Sequence, residues 1–326
     1  VNSLGSPRPR KDAAGWQQDV KSIGWWAEHA AIIGLIGLSI VFTSLSPVFL
    51  TAGNIQSILV AASILIVLTV GQSFVILSDG IDLSVAATMT LGVIAFGMAY
   101  AQGAGLLVSM LAAIAASSVI GILNGVLVAK GRITDFIVTL GTLSVASGLA
   151  LVLSDGKPIS ITSIELINFS THGVLIFGNP FIVAAAVAII AHVVLFRTRF
   201  GTHLFATGGS KEAAQATGIS TARIKIAVYT ISGVLAGVAA ILLVARVGAS
   251  EPAANTTFLL NSVAAVVLGG VSLTGGRGSI FGPIVGALLL TVLTNGLTLM
   301  NVSQFYQPLA VGVVVILAAL LSRFQK

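Results

Sequence analysis

Long apolar stretches, each interrupted by a short polar one, set the pattern of this chain. Ten runs stand out, at about 27–46, 55–77, 83–101, 105–129, 134–153, 174–196, 224–246, 257–274, 280–300 and 305–322. A bilayer core takes roughly 20 apolar residues per helix. The runs are too long and too evenly apolar for the alternating strands of an outer-membrane barrel. Backbone groups find no water in hydrocarbon, and helices satisfy them internally. The pattern therefore predicts an all-α polytopic membrane protein of about ten transmembrane helices. The third and eighth runs are the weakest. Eight or nine full spans, with broken or re-entrant helices, is the alternative.

Composition agrees. Of 326 residues only 8% are charged, against about 25% in a soluble domain, and 56% belong to the hydrophobic set. So few charges cannot cover a water-soluble core of this size. The absence of cysteine excludes a disulfide scaffold and any thiolate metal site.

Charge orients the chain. With the N-terminus placed in the cytoplasm and the spans alternating, 14 of the 16 basic residues fall inside. Only Lys157 and Arg246 fall outside. This predicts an even number of spans with both termini cytoplasmic. Residues 1–26 read as a mostly disordered basic cytoplasmic arm. Trp16, Trp25 and Trp26 mark its approach to the interface. The first run is too long for a cleaved signal peptide and reads as a retained anchor. Residues 27–323 form the transmembrane domain, which includes a cytoplasmic loop at 197–223.

Three polar segments carry candidate chemistry. In the 197–223 loop, Ser210 suits an N-cap, Lys211 to Thr217 suit two helical turns, and Gly218 suits a left-handed stop. Glu212 lies where the helix dipole favours an acid, and Ala213, Ala214 and Ala216 make a face with little bulk. This is either a knob for a cytoplasmic partner or an ordinary solvated loop. The segment Ser78-Asp79-Gly80-Ile81-Asp82-Leu83-Ser84 places two carboxylates between apolar runs. Asp82 either caps the next helix or lines a break within the membrane. The run from Gly269 to Ser279 is rich in glycine. It lacks the Gly-Lys-Ser/Thr end of a phosphate loop and reads as a tight turn.

Small residues four apart, Gly121 with Gly125, Gly233 with Gly237 and Gly282 with Gly286, allow close helix packing. Gln72, Asn124, Thr139, Thr142, Asn261 and Asn295 lie in or beside apolar runs, as pathway groups or as interhelical bonds. His192 reads as an interface residue. No HExxH, no Gly-x-Ser-x-Gly and no pair of acids within one span supports catalysis.

Four stretches together are familiar. They are Gly80-Ile81-Asp82-Leu83-Ser84-Val85, Phe136 to Thr142, Ala206 to Ile219, and Ala264 to Gly270 continuing to Ser279. In this order and spacing the chain resembles the permease subunits of bacterial ATP-binding-cassette importers of the ribose/xylose/arabinose type, over about 50–323. The resemblance implies that Gly208, Gly209, Ser210, Glu212, Ala213, Ala214 and Gly218 form the element that couples to an ATPase. It implies a bacterial inner (cytoplasmic) membrane protein with two permease copies, a cytoplasmic ATPase and a periplasmic sugar-binding protein. ATP and Mg would sit on the ATPase, with no cofactor, metal or catalytic residue in this chain. Membrane lipid is expected around it, and no nucleic acid. Gln72, Asp82, Asn124, Thr139, Thr142, Asn261 and Asn295 are the candidate translocation pathway. The chain departs from the family pattern where Asp79 and Ala86 replace glycines, where Asn261-Ser262 stands for an acid, and where Tyr306 stands for Trp. A stand-alone ion-coupled secondary transporter is the competing reading.

Overall fold

A computed structural model describes residues 29–253 and 256–322. The arm at 1–26 lies outside them. Ten apolar helices occupy the ten runs: α1 (Ala30–Leu45), α2 (Ala52–Leu77), α3 (Val85–Ala101), α4 (Gly105–Ala129), α5 (Asp135–Leu153), α7 (Asn179–Arg197), α10 (Thr221–Val247), α11 (Thr256–Leu268), α12 (Phe281–Leu299) and α13 (Gln307–Ser322). Six of them, α2, α4, α5, α7, α10 and α12, are long and apolar enough to cross a membrane. At 13 residues, α11 reaches only about 20 Å, short of a ~30 Å hydrocarbon core. The eighth run stops early because Gly269 and Gly270 follow Leu268, and Gly270 turns left-handed at φ 76°.

Two other boundaries differ from the apolar pattern, for local reasons. The sixth run begins not as helix but as a hairpin, β2 (Gly173–Val174) with β3 (Phe177–Gly178). Pro180 then opens α7 at its first turn. The 197–223 loop holds more helix than expected: α8 (Arg199–Gly209) precedes α9 (Lys211–Ala216). A further short helix, α6 (Ile164–Thr171), follows β1 (Ile159–Ser160).

The core is built around α2 and α3, which are buried along most of their length. By contrast α4, α5 and α7 present most of their apolar side chains outward, Leu107, Ile137 and Ile189 among them. In water such a surface would drive aggregation; in lipid it is the expected solvent face. The most extensive contact joins α4 to α10. Its cause is the absence of side chains on both: a methyl at Gly125 would lie 2.7 Å from Ile226 Cα, and one at Gly237 2.6 Å from Ile114 Cα. The paired small residues thus bring two backbones together where lipid offers no hydrophobic drive.

The connections gather at two ends. At the basic end, the segments after α2, α4, α7 and α11 meet. Gly276 N–H donates to Leu77 O at 3.0 Å, and Ile81 N–H donates to Asp135 Oδ2 at 2.9 Å. At the far end, β1 pairs antiparallel with β4 (Ala249–Ser250), and Asn54 exchanges amide hydrogen bonds with Asn295 at 3.2 and 3.0 Å.

Candidate functional site

At the basic end α9 forms as the residue pattern predicts. Ser210 Oγ accepts from Ala213 N–H at 3.2 Å, which satisfies an otherwise orphaned donor. Gly218 at φ 84° ends the turn, and Ile219 N–H returns to Ala214 O at 3.0 Å. Lys211, Glu212, Ala213, Gly209, Ser210 and Gly218 are exposed. Two of the expected docking residues are not: Ala214 is 3% exposed and Gly208 is buried. They face their own chain, while Ala213 and Ala216 of the same small-residue face are exposed.

Gly208 explains why. A methyl there would collide with Leu77 O and lie 2.8 Å from Gly276 N. Gly275 in turn faces Asp79 N and Gly208 O, where a methyl would lie 2.7 and 2.8 Å away. Three glycine-bearing turns therefore lock main chain against main chain: the end of α8, the 269–280 connection, and the end of α2. The glycine-rich turn at Gly269–Ser279 is the middle piece of this clamp. The exposed helix is joined through it to the segment that carries Asp82.

That segment is held from all sides. Asp79 stands at φ 60°, a left-handed position that glycine occupies without strain and Asp tolerates. Asp82 is 2% exposed. Its Oδ1 accepts from Ser84 N–H at 2.9 Å and Ser84 Oγ at 2.7 Å, and its Oδ2 accepts from Ser232 Oγ of α10 at 3.0 Å. Asp82 is not the N-cap of α3, which is Ser84; it binds that residue just ahead of the helix and ties it to α10. Asn124 Nδ2 donates to Ser84 Oγ at 2.8 Å, and Thr142 Oγ1 donates to Asn124 Oδ1 at 2.7 Å. Thr139 Oγ1 approaches Ile81 O at 3.4 Å. Tyr229 donates to Ile81 O at 3.2 Å, and Lys225 donates to Asp79 O at 2.6 Å.

Of the candidate pathway residues, the fold brings together Asp82, Asn124, Thr139 and Thr142 in one network. Asn295 is at the far end, engaged with Asn54. Asn261 is half-buried at the far end, beside a cavity. Gln72 is fully buried in α2, and neither amide atom has a partner. The residue pattern missed Asp135, Lys225, Tyr229 and Ser232, whose only signal was a polar atom inside or beside an apolar run. A cavity of about 530 Å³ lies beside α9, lined by Asp79, Arg132, Asp135, Lys211 and Lys225 among others. Outside the spans, Glu165 of α6 accepts from Ser163 Oγ at 2.8 Å, which holds its carboxyl below the usual carboxylate range.

A helical bundle with lipid-type outer faces, clamped at one end to a small exposed helix, is an all-α polytopic membrane protein. The chain belongs to the family described as branched-chain amino acid transport system / permease component, which matches residues 54–321. It is 39% identical over 303 residues to the ribose import permease protein RbsC of Escherichia coli, covering 91% of this chain and 94% of that protein. It is 35% identical to the D-allose transport system permease protein AlsC of Escherichia coli, covering 92% of each. It is 33% identical to the L-arabinose ABC transporter permease protein AraH of Azospirillum brasilense, covering 98% of this chain and 94% of that protein. No solved structure matches the chain. The chain is a multi-pass protein of the bacterial inner membrane.

Proposed function

We propose that this chain is the transmembrane subunit of an ATP-driven importer that passes a monosaccharide from a periplasmic binding protein to the cytoplasm. Similarity along nine-tenths of the chain to permeases named for ribose, allose and arabinose carries this reading. The basic end is cytoplasmic, both termini lie on that side, and two copies of the chain work together within lipid. ATP and its Mg are handled by a separate ATPase, and this chain contributes motion rather than chemistry.

The drive enters at α9. Its exposed residues Gly209, Ser210, Glu212, Ala213 and Gly218 meet the ATPase, while Gly208 and Ala214 seat the helix on its own subunit. A displacement of α9 reaches Leu77 and Asp79 through main-chain contacts, because the clamp holds no flexible side chain to absorb it. The Asp82 segment then moves with α2 and α3 relative to α10, and the bundle rocks between outward- and inward-facing states.

Glu212→Arg tests the coupling. In vesicles that hold the chain with its ATPase and binding protein, sugar uptake is lost while the amount of inserted chain is unchanged. Normal uptake by this variant refutes the role of α9. Uptake by the chain alone, collapsed by an uncoupler, would instead establish an ion-driven carrier.

A further inference from the structure

The two basic residues at the far end differ. Lys157 is paired with Asp155 at 2.7 Å. Arg246, in the last turn of α10, has no hydrogen-bond or ion-pair partner among the described residues. It is exposed and lines two cavities, of about 450 and 220 Å³. The larger is lined by Gln56, Ser57 and Thr171 beside it. The smaller lies between α2, α10, α11 and α12, with Phe258, Asn261, Thr291, Thr294 and Gln307 in its wall.

A helix C-terminus favours a cation, and that accounts for a basic residue in this turn. It does not account for the neighbours. The Asn261 amide also has no partner among the described residues. Thr291 and Thr294 donate to Ala287 O at 2.8 Å and Leu290 O at 3.2 Å, so only their oxygen lone pairs face outward. Gln307 donates through Nε2 to Thr298 Oγ1 at 3.0 Å, which leaves its carbonyl and one N–H. The cavity therefore offers a forked cationic donor, the amide N–H groups of Asn261 and Gln307, and several acceptor oxygens. A carboxylate has no hydrogen for those oxygens. A hydroxyl both accepts and donates. The guanidinium fork matches two adjacent oxygens, and the ring of Phe258 offers an apolar face for C–H groups. Further along, Gln72 lies on the face of α2 that carries Ala61 and Leu65, about two turns beyond Leu65. Its unpartnered amide is a second polar stop on that same face.

We infer that Arg246 and Asn261 form an admission site for adjacent hydroxyls of a neutral polyol, the first place the sugar touches this subunit. The assignment rests on the import reading above.

The lack of cysteine makes a direct test possible. A single Thr294→Cys places one thiol in the cavity, with Thr257→Cys as the substitute should the first disturb the fold. The permease–ATPase complex in vesicles is treated from outside with a membrane-impermeant maleimide. D-ribose, D-allose or L-arabinose at saturation slows alkylation, and D-ribonate does not. In the Arg246→Ala background protection weakens roughly tenfold or more, as expected for loss of a charge-assisted hydrogen bond. Arg246→Lys restores part of it. Protection that survives Arg246→Ala, or protection by ribonate instead of sugar, overturns the site. So does the absence of protection in a complex that, with its binding protein, still takes up one of these sugars. If the wild-type complex with its binding protein takes up no monosaccharide, the sugar-import reading fails and takes the site with it.

Discussion

Two polar clusters, one at each end of the bundle, are treated in opposite ways. At the basic end, Asp82 has three hydrogen bonds and Asn124 and Thr142 are paired, all within the chain. At the far end, Arg246 and Asn261 line open space and find no partner among the described residues. A saturated network is a strut, since any shift of one member costs its hydrogen bonds in a low-dielectric setting. An unsaturated cluster on a cavity wall is open to a ligand, since its groups have no partner in the chain to give up. Substitutions at the first end should therefore alter stability and coupling, and those at the second should alter sugar handling.

The largest effect belongs to Gly208→Val. Its new side chain would run into Leu77 O and the Gly276 main chain, neither of which can rotate away. We expect a loss of about 3 kcal/mol or more in stability, read as thermal denaturation in detergent, with transport abolished. Retained transport would mean that the clamp is not the drive linkage. Asp82→Ala comes next. It leaves the donors of Ser84 and Ser232 buried without an acceptor, at about 2–3 kcal/mol, and Asp82→Asn should recover part of this because it keeps one acceptor oxygen. Equal losses in the two variants would show that charge, not hydrogen bonding, holds the segment. Asp79→Gly works in the other direction. Relief of a left-handed residue should raise stability by about 0.5–1 kcal/mol, and a fall would show that the Asp79 side chain carries a contact of its own. Arg246→Ala sits at the bottom of the scale, within about 0.5 kcal/mol of wild type in the same melt, despite its effect on sugar protection.

Much of the fold was legible because lipid imposes a single rule on length and polarity. Each of the ten apolar runs holds a helix, and the small-residue pairs at Gly121/Gly125 and Gly233/Gly237 found each other. The α9 cap was legible too, since Ser210 and Gly218 are local signals. What was not legible is of two kinds. Helix α8 contains Gly201, Gly208 and Gly209, residues of poor intrinsic propensity, and is helical through packing against its surroundings. The Asp82 network pairs residues as far apart as Ser232, 150 positions along the chain, and no periodicity announces such a partner. Asn261 and Asn295 stand at the opposite end from Asp82, beside Arg246 and Asn54, and nothing in their flanking residues announces it. Polarity within an apolar run says that a residue has a task, while only the third dimension says at which end.

The clamp between Gly208, Gly276 and Leu77 is made of peptide groups, not of side chains. Nothing in it can sense what is being carried. A transmission of that sort is indifferent to cargo, so the far-end cavity is free to be retuned for a new solute while the engine mount stays as it is.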